Sequence, residues 1–162
     1  MNLERYDDFL GLLGRDFSRH RLVLFCGASG SGKSTAIRFL LERHPDFNGT
    51  DVMVMDEVHA GNLHRLAANV MGRRVLAASH FPLAWISALP GITVFRTDRD
   101  RGKIARYLRA LGVSASSEAV EAYVRRFGAT YTDVDIILER YPAPRFDIAL
   151  ARFQRFCRLR LG

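Results

Sequence analysis

The stretch LVLFCGASGSGKST, residues 22–35, decides the fold of this chain. Its first five residues form an unbroken apolar run, which is typical of a strand buried on both faces of a parallel sheet. Three glycines and a Lys-Ser-Thr triplet follow, and they fit the pattern G-x-x-x-x-G-K-[ST] between a strand and a helix. The stretch therefore predicts a buried strand, a tight glycine-rich loop and a helix that begins near Lys33.

The glycine-rich loop has the chemistry of an anion-binding site. Glycines allow successive backbone N–H groups to point inward, and the start of the next helix adds a partial positive charge. In such a loop the lysine, here Lys33, reaches the β- and γ-phosphates of a nucleotide and is predicted to be catalytic, and the Ser34 hydroxyl ligates Mg²⁺. The predicted phosphate-binding residues are nine consecutive ones: Gly27, Ala28, Ser29, Gly30, Ser31, Gly32, Lys33, Ser34 and Thr35.

A pair of carboxylates, Asp56 and Glu57, directly follows four apolar residues. A strand that ends in Asp presents a carboxylate able to hold Mg²⁺, and a following Glu can polarise an attacking water. We predict that Asp56 is a metal-binding residue and Glu57 a catalytic one, and that both face the glycine-rich loop from a neighbouring strand. The alternative is a strand that ends in a solvated turn.

Two polar residues, Ser79 and His80, end a third apolar run. Ligands of doubly wound sheets lie at the carboxyl ends of the strands, so both side chains are predicted near the γ-phosphate as catalytic sensors. The alternative is a helix N-cap serine beside a surface histidine.

Strand and helix patterns alternate along residues 22–97, which predicts an α/β fold with a parallel sheet and helices on its faces. Four apolar runs are typical of strands buried on both faces: residues 22–26, 51–56, 74–79 and 91–96. The helical patterns between them are residues 34–43, 62–71 and 82–89. An amphipathic helix is predicted before them over residues 3–17, because five apolar residues there have helical spacing. These are Leu3, Tyr6, Leu10, Leu13 and Phe17.

From residue 98 onward the sequence shows helical patterns only. The first includes Ile104, Tyr107, Leu108 and Leu111; the others cover residues 117–127, 132–140 and 145–160. We predict Gly128 as a C-cap, Ile136 and Ile137 as inward-facing, and an aromatic face opposite a basic stripe on the last helix. That face comprises Phe146, Leu150, Phe153, Phe156 and Cys157, and the stripe comprises Arg145, Arg152, Arg155 and Arg158. The predicted division is residues 1–97 and residues 98–162.

The composition is that of an ordinary globular protein: of 162 residues, 48% are hydrophobic and 25% charged, which argues against disordered and collagenous classes. No apolar run is long enough to span a bilayer, so we expect a cytoplasmic protein without a membrane partner. Cys26 and Cys157 are too few and too distant for a disulfide framework or a zinc site.

The charge of the chain is positive and unevenly placed. Residues 1–97 hold 11 basic and 9 acidic residues, whereas residues 98–162 hold 13 basic and 8 acidic, giving +2 and +5 of the total +7. Such an excess favours a polyanionic partner, either DNA or RNA or an acidic protein. Because 22 of the 24 basic residues are arginine, a codon bias of a GC-rich genome is the alternative explanation.

The loop at 27–35 together with Asp56 and Glu57 resembles P-loop NTPases of the additional-strand, catalytic-glutamate division, which includes the AAA+ and ABC ATPases. The order of parts, an α/β core followed by short helices, is similar to a minimal AAA+ ATPase with a helical lid. The resemblance implies ATP and Mg²⁺ as cofactors, hydrolysis, and action with a larger protein or nucleic-acid assembly. In contrast to that family, Asp56 follows Lys33 by only 23 positions, and residues 82–89 contain no arginine.

Two other functions fit the same residues. One is a P-loop kinase for a small acceptor, since in such kinases an acidic residue closes the second strand at a similar spacing. The other is a nucleotide-gated binding module with little hydrolysis, whose arginine comes from a partner. Within the chain, Arg96, Arg99 and Arg101 are candidates to contact phosphate charge.

Overall fold

The computed structural model describes residues 7–48, 51–81, 83–97 and 101–161. The chain divides into two compact units, Met1–Thr97 and Asp98–Gly162.

The first unit is built on a four-stranded sheet in which every pair of neighbouring strands is parallel. The strands are β1 (Leu22–Cys26), β2 (Val52–Val58), β3 (Arg74–Ser79) and β4 (Ile92–Arg96). Their order across the sheet is β2-β3-β1-β4. The predicted α/β fold with a parallel sheet is therefore confirmed.

The two central strands, β1 and β3, are buried as predicted, but the two edge strands are not. Val54 in β2 is 40% exposed, and all five residues of β4 are half-buried. A strand at the edge of a sheet has a neighbour on one side only, so solvent reaches it. The prediction that all four apolar runs are fully buried is wrong for β2 and β4.

The helices of the first unit largely follow the prediction. They are α1 (Lys33–Arg43) and α2 (Leu63–Gly72), with short 3-10 helices at Asp7–Leu12, Ala60–Asn62 and Ala84–Ala88. The last of these replaces the helix predicted over residues 82–89, of which residue 82 lies outside the described residues.

The N-terminal helix predicted over residues 3–17 is wrong within the described residues, and residues 1–6 lie outside them. The helix is a 3-10 helix that ends at Leu12, and the predicted apolar stripe is broken because Leu10 and Leu13 are exposed. Gly11 and Gly14 disfavour a longer helix. The amide of Phe17 instead bonds to the Asp46 carboxylate at 2.8 Å, which places this aromatic ring in the core.

Both faces of β1 are covered by apolar side chains. Val23 and Phe25 pack in a cluster with α1 and the N-terminal segment, whereas Leu22, Leu24 and Cys26 pack in a second cluster with β3 and Leu66 of α2. A strand whose alternate residues enter two cores is fixed in position. The loop that follows β1 therefore starts from the most firmly packed strand of the sheet.

Within residues 101–161 the second unit contains four helices, α3 (Arg101–Ala110), α4 (Ser117–Phe127), α5 (Tyr131–Arg140) and α6 (Phe146–Leu161). These bounds confirm the predicted helical patterns to within a residue or two. Ser116 caps α4 by accepting a hydrogen bond from the Ala119 amide at 3.1 Å, and Gly128 ends it with a φ of 76°.

An apolar core with buried aromatic rings joins these four helices. Tyr123 donates a hydrogen bond to the Thr130 carbonyl at 2.7 Å, and burial raises the pKa of its phenol well above the usual value. Two predictions fail at the edge of this core: Ile136 is 36% exposed, and Phe156 is 37% exposed although Phe146 is fully buried. The aromatic face of α6 thus packs at its N-terminal end and opens toward solvent along its length.

Candidate functional site

The glycine-rich loop, residues 27–32, joins the carboxyl end of β1 to the start of α1. Gly30 and Gly32 have φ values of 72° and 89°, in the left-handed region that side chains disfavour. Helix α1 begins at Lys33, and the N–H groups of its first turn have no carbonyl of their own helix to bond to. The loop thus brings glycine backbone and the positive end of a helix to one place, as an anion-binding site requires.

Lys33 is folded back over the loop from which it emerges. Its side chain is buried, and Nζ donates hydrogen bonds to the carbonyl oxygens of Gly27 at 2.8 Å and Ala28 at 2.7 Å. Nδ1 of His80 lies 3.4 Å from the same Nζ. The ammonium is therefore fixed at the loop by backbone carbonyls and stands beside the histidine that follows β3.

Ser34, in the first turn of α1, contacts the carboxylate of Asp56. Its hydroxyl donates to Asp56 Oδ1 at 2.7 Å. The sheet order puts β3 between β1 and β2, so the expectation that the carboxylates face the loop from a neighbouring strand is wrong. Asp56 instead reaches the start of α1 from two strands away.

A β-bulge explains how Asp56 and Glu57 are presented. Met55 pairs with Ala77 and Val58 pairs with Ser79, so β2 has one residue more than β3 across this interval. We call Asp56 and Glu57 the carboxylate bulge. Bulges bend a strand and redirect its side chains, and here both carboxylate side chains are exposed. The strand was predicted to end at Asp56, but it continues to Val58.

A pocket of about 370 Å³ brings these groups together. It is lined by Ser29, Gly30, Gly32, Lys33, Ser34, Thr35, Asp56, Glu57 and His80. Its volume falls within the range of small-molecule sites. Four predicted site residues do not line it: Gly27 and Ala28, which bind the Lys33 ammonium through their carbonyls, and Ser31 and Ser79.

Ser79 is fully buried and its hydroxyl is engaged on both sides. It donates to the Val58 carbonyl at 2.7 Å and accepts from the Phe81 amide at 3.0 Å. The hydroxyl thus connects the strand just after the carboxylate bulge with the turn that carries His80. Of the two residues predicted at the end of β3, only His80 lines the pocket.

Thr97, which directly follows β4, is a residue of this region that the sequence patterns did not point out. Its hydroxyl lies 2.6 Å from the Ser31 hydroxyl and donates to the Cys26 carbonyl at 3.2 Å. Both hydroxyls are buried, and together they fasten the glycine-rich loop to the end of the neighbouring strand. The signal that could have identified Thr97 was its position in the sequence, directly after β4. Ser79 has a similar position as the last residue of β3.

The candidate arginines are not among the residues that line the pocket. Arg96 is half-buried at the end of β4, Arg99 lies outside the described residues, and the side chain of Arg101 is also outside them. Among the lining residues, all of which are described, Lys33 is the one side chain with a permanent positive charge.

The donor set at Ser34 and Asp56 suits Mg²⁺. This ion prefers hard oxygen ligands and takes one or two protein ligands, filling its other positions with water and substrate phosphate. Within the described residues no group of three or more His, Cys, Asp or Glu side chains forms a metal-binding cluster. A hydroxyl beside a carboxylate next to an anion-binding loop fits an ion that arrives with its phosphates.

Compared with models of protein families and with curated protein sequences, the chain has no match. None of the helices in the described ranges combines the length and apolar character that crossing a membrane requires.

Proposed function

We propose that the chain is a small P-loop protein that binds and hydrolyses ATP, similar in its parts to a minimal AAA+ ATPase. In this proposal residues 1–97 are the nucleotide-binding core, and residues 98–162 are a lid-like helical part. The observation that carries the proposal is the hydrogen bond of 2.7 Å from Ser34 Oγ to Asp56 Oδ1. It joins the two side chains that the sequence motifs assign to one metal ion, although 22 positions separate them in the chain.

Different residues of the pocket bind the phosphates and the Mg²⁺ ion. The loop backbone, the first turn of α1 and the Lys33 ammonium bind the phosphates. Ser34 and Asp56 hold Mg²⁺, which when bound neutralises phosphate charge. A ligand phosphate competes with the Gly27 and Ala28 carbonyls for the ammonium, so binding exchanges these hydrogen bonds for a charge-assisted one.

Glu57 is placed to act on water. Within the described part of the chain its carboxylate has no hydrogen bond or ion pair, and it lines the same pocket as Lys33. In the proposed reaction it accepts a hydrogen bond from a water and orients the oxygen toward the terminal phosphorus. The bond between the terminal phosphorus and the leaving nucleoside diphosphate oxygen breaks as the water oxygen bonds to phosphorus, and the water's proton passes to the Glu57 carboxylate and from there to solvent, giving nucleoside diphosphate and free phosphate.

Phosphate release by the purified chain tests this proposal. Wild-type protein should release phosphate from Mg·ATP without an acceptor, and Glu57→Gln should abolish release while nucleotide still binds. Glu139→Gln, which changes an exposed carboxylate in α5, is the matched control and should behave as wild type. Transfer of labelled phosphate to a small metabolite in place of water would show a kinase instead.

A second candidate is the nucleotide-gated module that hydrolyses slowly until a partner binds. The observation that favours it is that Lys33 is the one permanent cation among the lining residues. An arginine finger supplied in trans raises the rate by roughly 10³–10⁵ in related chemistry. A basal rate that rises sharply with a partner protein would support this version, and a fast unaided rate would refute it.

We also propose that the second unit contacts a polyanion, which is DNA, RNA or an acidic protein. It holds the +5 excess, and Arg152 and Arg155 of α6 are exposed. Phosphate contacts by arginine make affinity fall with salt. The full chain should bind a labelled oligonucleotide or polyglutamate at low salt, and Arg152→Ala with Arg155→Ala should weaken that binding. Failure to bind either polymer would contradict this proposal.

A further inference from the structure

The turn after β2 is organised around the side chain of Asn62. Its Oδ1 accepts a hydrogen bond from the His59 amide at 2.9 Å, which caps the 3-10 helix Ala60–Asn62. Its Nδ2 donates a hydrogen bond of 2.7 Å to the carbonyl of Glu57. Only the first of these bonds belongs to the cap. The second reaches back to the carboxylate bulge and binds the backbone of Glu57, the residue proposed to orient the attacking water.

The turn is built tightly enough to hold that geometry. His59 Nδ1 accepts from the Gly61 amide at 3.1 Å, and a Cβ at Gly61 would lie 3.1 Å from Cε1 of the same ring. The next carbonyl along β2, that of Val58, accepts the buried Ser79 hydroxyl. The carbonyls of Glu57 and Val58 are therefore both bonded to side chains, one from the turn that follows β2 and one from the end of β3.

We propose that Asn62 is a positioning residue for hydrolysis, because the hydrogen bond from its Nδ2 holds the peptide plane at Glu57 and thereby the direction in which the Glu57 side chain leaves the strand. This inference rests on the proposed function. Glu57 is exposed, and within the described residues its carboxylate has no hydrogen bond of its own, so its orientation depends on the backbone from which it extends. Catalytic groups have to be placed within about 0.5 Å of the productive geometry. Asn62 is not among the residues that line the pocket, and it acts through Glu57.

Two variants separate this role from the capping role. Asn62→Asp keeps an oxygen that can accept from the His59 amide, but it removes the donor to the Glu57 carbonyl. Asn62→Ala removes both. The matched control is Asn69→Ala, since Asn69 donates a similar bond of 2.8 Å from its Nδ2 to the Arg65 carbonyl on α2, away from the bulge.

The measurement is steady-state phosphate release by the full chain, with kcat and KM reported separately and with melting temperature and Mg·ATP affinity alongside. We expect both Asn62 variants to lower kcat by about tenfold to a hundredfold, the range for a catalytic group displaced by roughly 1 Å. KM and nucleotide affinity should change by less than about threefold, because Lys33 and Ser34 are not altered. Asn62→Asp should melt near wild type, and Asn69→Ala should keep the wild-type kcat.

Each result decides between outcomes. If the wild type hydrolyses ATP and Asn62→Asp has the same kcat, the inference is overturned. Asn62 would then only cap the 3-10 helix, while the proposed hydrolysis would stand. A loss of kcat in Asn69→Ala equal to that in Asn62→Asp would overturn it also, since the effect would then belong to α2 in general. A wild-type chain that binds Mg·ATP but releases no phosphate would overturn the proposed hydrolysis and this inference together.

Discussion

The two halves of the pocket stand on different kinds of strand. The glycine-rich loop follows β1, a central strand whose five residues are all buried, and Lys33 is itself buried. The carboxylate bulge lies on β2, an edge strand, and both of its side chains are exposed. The loop half of the pocket is thus fixed by the core, whereas the carboxylate half is fixed by a few hydrogen bonds from Ser34, Asn62 and Ser79. Binding and hydrolysis should therefore respond to different mutations.

The largest expected effect is on stability and contrasts the two strands. Leu24→Ala removes a fully buried side chain from β1 and should lower the free energy of unfolding by about 2–5 kcal/mol. Val54→Ala, on the exposed face of β2, should lower it by less than about 1 kcal/mol. Urea denaturation of both variants measures the difference. Equal losses would show that β2 is as firmly packed as β1.

The next effect is on nucleotide affinity. Lys33→Ala removes the ammonium at the loop and should weaken Mg·ATP binding by about a hundredfold, since a hydrogen bond to a charged group contributes roughly 1.5–3 kcal/mol. Arg38→Ala, which removes an exposed cation from the same helix, is the control and should bind as wild type. Fluorescence or calorimetric titration gives both constants. A similar loss in the two variants would mean that general charge, not the loop ammonium, governs binding.

Ser79 tests whether the end of β3 supports the bulge or reads the phosphate. Ser79→Ala leaves the Val58 carbonyl and the Phe81 amide without their hydroxyl partner, and should lower stability by about 1–3 kcal/mol. Nucleotide affinity should change by less than about threefold, because this hydroxyl is buried and does not line the pocket. Thermal melts and titrations on the same samples separate the two. Unchanged stability with a large loss of affinity would make Ser79 a phosphate sensor.

The smallest of the four effects concerns the loop backbone. Gly32→Ala places a side chain at a φ of 89° and should destabilise the first unit by about 1–2 kcal/mol. Gly72→Ala is the matched control, because a Cβ there meets nothing within 4 Å and the residue ends α2 without a positive φ. It should be neutral or slightly stabilising. Chemical denaturation gives the free energy of unfolding of both variants. Equal values for Gly32→Ala and Gly72→Ala would contradict the claim that the backbone conformation at Gly32 disfavours a side chain.

The sequence predicted best what depends on neighbouring residues. The sequence predicts β1 and the start of α1 correctly from the apolar run 22–26 and the later Gly-Lys-Ser-Thr. The apolar run, the glycine and the start of a helix are all signals carried by adjacent residues. The same holds for the Gly128 end of α4. The prediction of the N-terminal helix is wrong because a long-range hydrogen bond from Phe17 to Asp46 and two glycines compete with the helical spacing.

What the sequence could not predict depends on pairing between distant segments. Nothing in residues 51–58 says that β3 lies between β2 and β1, or that β2 carries one extra residue opposite β3. The exposure of Val54 and the bulge at Asp56 and Glu57 both follow from that pairing. The second hydrogen bond of Asn62 could not be predicted either, since it requires the bulge to bring the Glu57 carbonyl within reach.

The central claim is that the loop, Lys33, Ser34 and Asp56 form one binding site for a nucleoside triphosphate with Mg²⁺. Isothermal titration calorimetry of the full chain with ATP, in the presence of Mg²⁺ and of a chelator, tests it most directly. We predict one nucleotide bound per chain, with an affinity that Mg²⁺ raises in the wild type and no longer raises in Asp56→Asn. The absence of binding to folded wild-type protein at millimolar Mg·ATP would contradict the claim.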